Sequence, residues 1–164
     1  MNYQYKLQKA KNIQELFELV KEICYVHFGK DQAGLMVGLS DLGIYGGSFL
    51  GAYYSLNANT IVINKKPLSR IRQTNPDLYK PYVFHILLHE YIHSLGYMDE
   101  TIVRKLVYEI SVNYLGKNHL AVKIAADMNE FLPYISLSGN ISEPGDLSIE
   151  YLSGIDRKNT NYII

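Results

Sequence analysis

The residues best able to do chemistry stand together in one stretch, His89-Glu90-Tyr91-Ile92-His93-Ser94-Leu95-Gly96-Tyr97-Met98-Asp99-Glu100. The spacing of Val83, Ile86, Leu87 and Ile92 predicts a helix over residues 82–95. On such a helix His89 and His93 lie one turn apart and about 40° apart in rotation, so two imidazoles can share one metal ion. Glu90 is turned by about 100° from His89, which suits it to act as a general base on a metal-bound water rather than as a ligand. Gly96 can end the helix in a left-handed conformation and turn the chain back. That turn favours Asp99, six residues after His93, as the third ligand. Glu100 serves instead if Asp99 caps the next helix, and Glu109 lies about 15 Å into that helix. With five His and nine Glu in the chain, a chance His-Glu-x-x-His has odds of about 1 in 100, so metal binding outweighs a pair of core histidines.

The extended pattern His-Glu-x-x-His-x-x-Gly-x-x-Asp, His89 to Asp99 here, resembles that of the zincin metallopeptidases, and within them the metzincins and the small snapalysin-type proteases whose third ligand is Asp. The resemblance implies zinc held by His89, His93 and Asp99, Glu90 as the catalytic base, and hydrolysis of peptide bonds in a peptide or unfolded protein. A gluzincin-like arrangement, with a glutamate of the following helix as third ligand, would use Glu100 or Glu109. The run Thr60-Ile61-Val62-Ile63-Asn64 sits where zincins have an edge strand that pairs with extended substrates. Two other functions compete. Metal-dependent endoribonucleases of the ribosomal RNA maturation type carry His-x-x-x-His before a Gly-Tyr like Gly96-Tyr97, but with His where Asp99 stands. A non-catalytic zinc-binding module would close its site with four protein ligands.

To hold such a helix the chain has 164 residues, enough for one domain with a real core. Apolar residues at 48% and charged residues at 20% exclude collagen-like, coiled-coil and wholly disordered chains. Sixteen Lys and Arg balance sixteen Asp and Glu, so no global basic field draws nucleic acid or anionic lipid, and neither is an expected partner. The longest apolar candidate, 83–95, is broken by three histidines and a glutamate, so no membrane span is expected. Cys24, the single cysteine, cannot form an intramolecular disulfide, and the start of the chain has no apolar leader run. The expected compartment is therefore the cytoplasm.

Residues 12–28 have the apolar spacing of a helix that Gly29 would stop, and 35–39, 48–55 and 60–64 read as strands of one sheet. Between them, 41–47 reads as a flexible connection and Asn57-Ala58-Asn59 as a turn. Pro67, Pro76 and Pro81 punctuate the approach to the central helix. Further helices are expected from Asp99 or Glu100 to Gly116 and over 120–131, a run that includes Met128. Beyond Pro133 the chain turns to Ser, Gly, Asn and Pro. The expected fold is α+β and zincin-like: an N-terminal helix on a small mixed sheet, a central metal-binding helix, and a mainly helical C-terminal part. A catalytic domain would span 1–132 and a loosely ordered C-terminal arm 133–164. His85, one turn before His89, is expected to support the site or fill the core, and Cys24 to be a small buried hydrophobe.

Overall fold

The computed structural model describes residues 2–45, 50–135 and 141–155. Two helices open the chain, α1 (Tyr3–Lys9) and α2 (Ile13–Phe28). The Asn12 side chain accepts the Glu15 N–H at 2.8 Å and so caps α2, while Gly29 ends it in the left-handed region at φ 73°. Ile13, Leu16, Phe17, Val20, Ile23 and Cys24 form its buried face. Four strands follow: β1 (Met36–Ser40), β2 (Ile44–Tyr45), β3 (Ala52–Ser55) and β4 (Thr60–Asn64). The helical remainder runs through α3 (Lys65–Thr74), α4 (Tyr79–Ser94), α5 (Glu100–Leu115), α6 (Leu120–Ala126) and α7 (Leu132–Ile135). Two short strands come last, β5 (Ile141–Ser142) and β6 (Glu150–Tyr151).

The main sheet has the order β3-β4-β1-β6. β1 and β4 run parallel, with Met36 opposite Thr60, and the outer strands are antiparallel to their neighbours. The sheet is therefore small and mixed, as expected, and the class is α+β. One expectation is corrected: β4 is an interior strand with all five residues buried, and the strands at the edges of the sheet are β3 and β6. The unbroken run Ile61-Val62-Ile63 is the pattern of a strand covered on both faces. A second correction concerns 41–47, where Ile44 and Tyr45 pair with Ser142 and Ile141.

At the end of β4 the side chain of Asn64 is completely buried and makes four hydrogen bonds. Its oxygen accepts the N–H groups of Leu42 (3.0 Å) and Lys66 (3.1 Å), and its nitrogen donates to the carbonyls of Gly43 (2.9 Å) and Leu50 (2.8 Å). One amide thus joins the connection between β1 and β3 to the first turn of α3. That helix is absent from the expected elements; Pro67 stands in its first turn, where its missing N–H costs nothing.

The central helix α4 packs against α2, α5, α6 and β3. Between Pro81 and Ser94 every residue is buried except His85, His89, Glu90 and His93. A helix apolar nearly all round belongs in a core, and the exceptions form the one stripe open to solvent. The expected helix over 120–131 divides at Asp127, whose carboxylate accepts the Asn129 N–H at 3.0 Å and starts a 3-10 turn over Met128–Phe131. In the C-terminal segment β6 pairs with β1 and Ile155 joins the core, so part of the expected arm completes the sheet. The expected turn at 138–140, residues 46–47 of the expected connection and residues 48–49 of the expected second run lie outside the described residues. No helix among the described residues is long and apolar enough to cross a membrane.

Candidate functional site

His89 and His93 project from α4 with ring centroids 5.1 Å apart. The helix ends just beyond them: Gly96 sits at φ 109°, and its N–H donates to the His93 carbonyl at 3.0 Å. This reversal brings Tyr97 back beside His93, where the imidazole Nδ1 lies 2.8 Å from the Tyr97 carbonyl oxygen. A carbonyl can only accept, so Nδ1 carries the hydrogen and Nε2 is left facing the site.

The start of α5 decides which acidic residue reaches the two rings. Asp99 is the N-cap, and its carboxylate accepts the Ile102 N–H at 3.1 Å. Glu100, the first helical residue, extends the other way. Its oxygens lie 2.6 Å from His93 Nε2 and 3.1 Å from His89 Nε2. One ligand atom from each of His89, His93 and Glu100 falls within 4.8 Å of the other two, a grouping able to hold a metal ion. The structure thus brings together both expected histidines with Glu100, and it does not bring Asp99 to them. Glu109 lies exposed along α5, away from the group.

The short contact between His93 and Glu100 says what the group can take. With Nδ1 committed to a carbonyl, a neutral ring would aim its Nε2 lone pair at a carboxylate oxygen. A proton or a cation has to lie between them. Two imidazole nitrogens and a carboxylate oxygen are the ligand set of a three-residue zinc site that keeps a fourth position open. The residues therefore fit a divalent ion, and the Tyr97 carbonyl would then supply the outer hydrogen bond that holds the His93 imidazole in its tautomer.

Glu90 is next to this group without belonging to it. A carboxylate oxygen stands 4.0 Å from His89 Nε2, and the side chain is 12% exposed. Burial pushes its pKa up to about 8, the charge on Glu100 adds to the rise, and a backbone hydrogen bond from Tyr54 opposes it. Burial also lowers the pKa of His89, against the attraction of Glu100. For Glu100, burial acts upward but is outweighed by the hydrogen bond and charges of the two histidines, so its pKa falls.

A cavity of about 340 Å³ opens beside His89 and Glu90, walled by α4, the start of β3 and the segment from Met128 to Leu132. Met128 reaches the site through the 3-10 turn that follows Asp127. Met128 was not among the expected site residues, because it joins the site through contacts distant in sequence; Tyr82 was not among them either, although it lies two turns before His89 on the same helix. His85 does line the cavity, in keeping with a supporting position. Cys24 is buried and its thiol pKa is raised by burial, as a structural cysteine requires. Comparison with protein family models, with curated proteins and with solved structures finds no match to this chain.

Proposed function

We propose that this protein is a zinc-dependent peptidase, with His89, His93 and Glu100 as metal ligands and Glu90 as the general base. The observation that carries the reading is a three-ligand group with a buried, non-ligating carboxylate at its side and an open cavity next to both. A structural zinc staple would have a fourth protein ligand and no need of an adjacent base or cavity. Glu100 replaces the Asp99 of the snapalysin-like pattern, which moves the proposed ligand set toward the gluzincin-like alternative.

A divalent zinc ion supplies activation of a water and polarisation of a carbonyl at neutral pH. The chain's own residues do the rest. The Tyr97 carbonyl fixes the His93 ring, and the cap made by Asp99 sets the direction in which Glu100 leaves α5. Glu90, whose raised pKa brings it near the working range of a base that must also act as an acid, takes a proton from the attacking water. It then passes that proton to the leaving amine nitrogen. The backbone of β3, the edge strand nearer the cavity, is the surface along which an extended peptide could pair.

Elemental analysis of purified full-length protein, paired with cleavage of a mixed peptide substrate with and without a chelator, tests the proposal. The expected result is about one zinc per chain and cleavage that the chelator stops and added zinc restores. Protein that neither retains nor takes up zinc at neutral pH refutes it, as does zinc-loaded protein that cuts no peptide.

A further inference from the structure

The carbonyl that holds the His93 ring belongs to a turn with little main-chain support of its own. Among the described residues neither Tyr97 nor Met98 makes a backbone–backbone hydrogen bond, and the Met98 side chain is exposed. What keeps the Tyr97 carbonyl 2.8 Å from His93 Nδ1 therefore has to come from the Tyr97 side chain. Its ring lies against that of Phe28, the last residue of α2, with centroids 5.3 Å apart and planes tilted by 34°. The Lys30 ammonium stands 4.7 Å from the centre of the same ring. An aromatic neighbour and a cation over the face are both attractive partners for a phenol ring, and neither contact uses the hydroxyl.

Phe28 and Lys30 are far from Tyr97 in sequence and are themselves firmly placed. Gly29 ends α2 at φ 73° and turns the chain, so that the residues on either side of it meet one ring. The connection that follows is tied down in two places. The Gln32 N–H donates to the Tyr91 hydroxyl of α4 at 3.2 Å, and the Asn59 side-chain nitrogen donates to the Ala33 carbonyl at 2.9 Å. The grip on Tyr97 thus comes from α2 and from a connection fixed to α4, not from the turn it steadies.

Resting on the zinc reading of the site, we propose that Tyr97 is a positioning residue for the metal centre, and that the hold of Phe28 and Lys30 on its ring keeps its carbonyl on His93 Nδ1. The carbonyl keeps Nδ1 the donor and leaves Nε2 free to ligate. A ligating imidazole that loses its outer partner loses about 10- to 100-fold in metal affinity. The coupling is reciprocal: whatever the clamp adds to zinc affinity, zinc adds to the closing of the clamp.

Two measurements on the full chain test this. The first needs no metal. The His93 side chain is only 11% exposed, so in 15N-labelled metal-free protein its Nδ1–H, bonded to a carbonyl, is expected to give an imidazole signal that exchanges slowly with water. The signal should persist in Tyr97→Phe, which keeps the ring, and vanish in Tyr97→Ala. The second is zinc affinity, read by chelator competition at neutral pH. Tyr97→Ala is expected to bind zinc about 10-fold more weakly or worse, and Tyr97→Phe within about threefold of the parent. Lys30→Gln, at an exposed position, removes the cation and should cost about two- to fivefold.

Tyr97→Ala that keeps the imidazole signal and binds zinc within threefold of the parent overturns the assignment, even if its melting temperature falls, because the ring would then be structural alone. Tyr97→Phe as weak as Tyr97→Ala overturns it too. Should Tyr97→Ala fail to fold, Lys30→Gln decides, and parental affinity in that variant refutes the clamp. Zinc affinities in the expected order, in protein that cuts no peptide, sink the peptidase reading and leave the positioning role standing. Peptide cleavage by the parent together with parental zinc affinity in Tyr97→Ala does the reverse.

Discussion

The division of labour between Asp99 and Glu100 can be separated by substitution, because the two neighbours leave α5 in different directions. Asp99 bonds its own helix and Glu100 bonds the two histidines. Removing an outer-sphere partner of a metal ligand costs about 10- to 100-fold in metal affinity, and removing one of three ligands should cost at least the upper figure. Glu100→Ala is therefore expected to weaken zinc binding about 100-fold or more, which is close to 3 kcal/mol. Glu100 is 55% exposed on its side chain, so the metal-free fold should be nearly unaffected by the loss. Asp99→Ala should behave in the opposite way, losing about 0.5–2 kcal/mol of stability with its cap. Since a frayed helix start would also misplace Glu100, Asp99→Ser is the cleaner variant: serine caps as well as aspartate but cannot replace a carboxylate ligand. Its zinc affinity is expected to stay within about threefold of the parent's. Competition against a chromophoric chelator at neutral pH reads the affinities, and urea melts of metal-free protein read the stabilities. A large affinity loss in Asp99→Ser with none in Glu100→Ala would refute the ligand assignment and restore the aspartate-type set.

Glu90→Gln should keep its zinc and lower turnover by about 10²- to 10⁴-fold, as loss of a general base does; peptide cleavage at matched zinc content checks this. In metal-free protein the same change should raise stability at neutral pH. The folded-state pKa of about 8 lies above the ordinary 4.5, so the wild-type fold is favoured below 4.5 and loses stability as pH rises toward 8. Urea melts at pH 5 and pH 8 should show the advantage of Glu90→Gln growing to about 1–3 kcal/mol, and a constant or shrinking gap contradicts the burial argument. Gly96→Ala meets no atom within 4 Å but would have to hold φ 109°, costing about 1–3 kcal/mol through the backbone alone and loosening the zinc site that the turn positions. Unchanged melting and zinc affinity would show that the turn does not depend on glycine. Cys24 should resist alkylation in the native protein and react only on unfolding, because burial keeps its thiol protonated; modification at a rate independent of denaturant contradicts this.

Much of the frame was readable from local pattern, because α2, β4 and α5 each carry a strong periodic or apolar run with a capping residue at the boundary. The paired histidines were readable for the same reason, since both lie on one unbroken helix. Which acidic side chain comes to lie beside the two rings was not settled, because the choice between Asp99 and Glu100 turns on one residue of helix phase. Sequence spacing allows both, and the bond from the Ile102 N–H selects. α3 escaped because its apolar side is thin, Leu68 and Ile71 among charged and polar neighbours, and because a first-turn proline reads as a break when the helix start is unknown. The interior position of β4 was inferable from Ile61-Val62-Ile63, but its partners are not: β1 is over twenty residues upstream and pairs in parallel. The cavity wall at Met128 and Asn129 was beyond any local signal, since only the folded chain brings it beside His89 and Glu90.

The amide of Asn64 has a consequence of another kind. All four of its hydrogen-bonding positions are in use, and all four partners are main-chain groups, of Leu42, Gly43, Leu50 and Lys66. It works as a gauge of alignment: a slip of β4 by one residue would swing the amide to the opposite face of the sheet and strand four backbone groups at once. Because the grip is on the backbone, it is indifferent to the side chains it holds. Apart from Gly43, whose φ of 80° favours glycine, the residues gripped at 42 and 50 on the way into β3 could change their side chains and still follow the same path. The path into the wall of the cavity that Gly51 and Ala52 form is thus anchored by a residue that does not itself line the cavity.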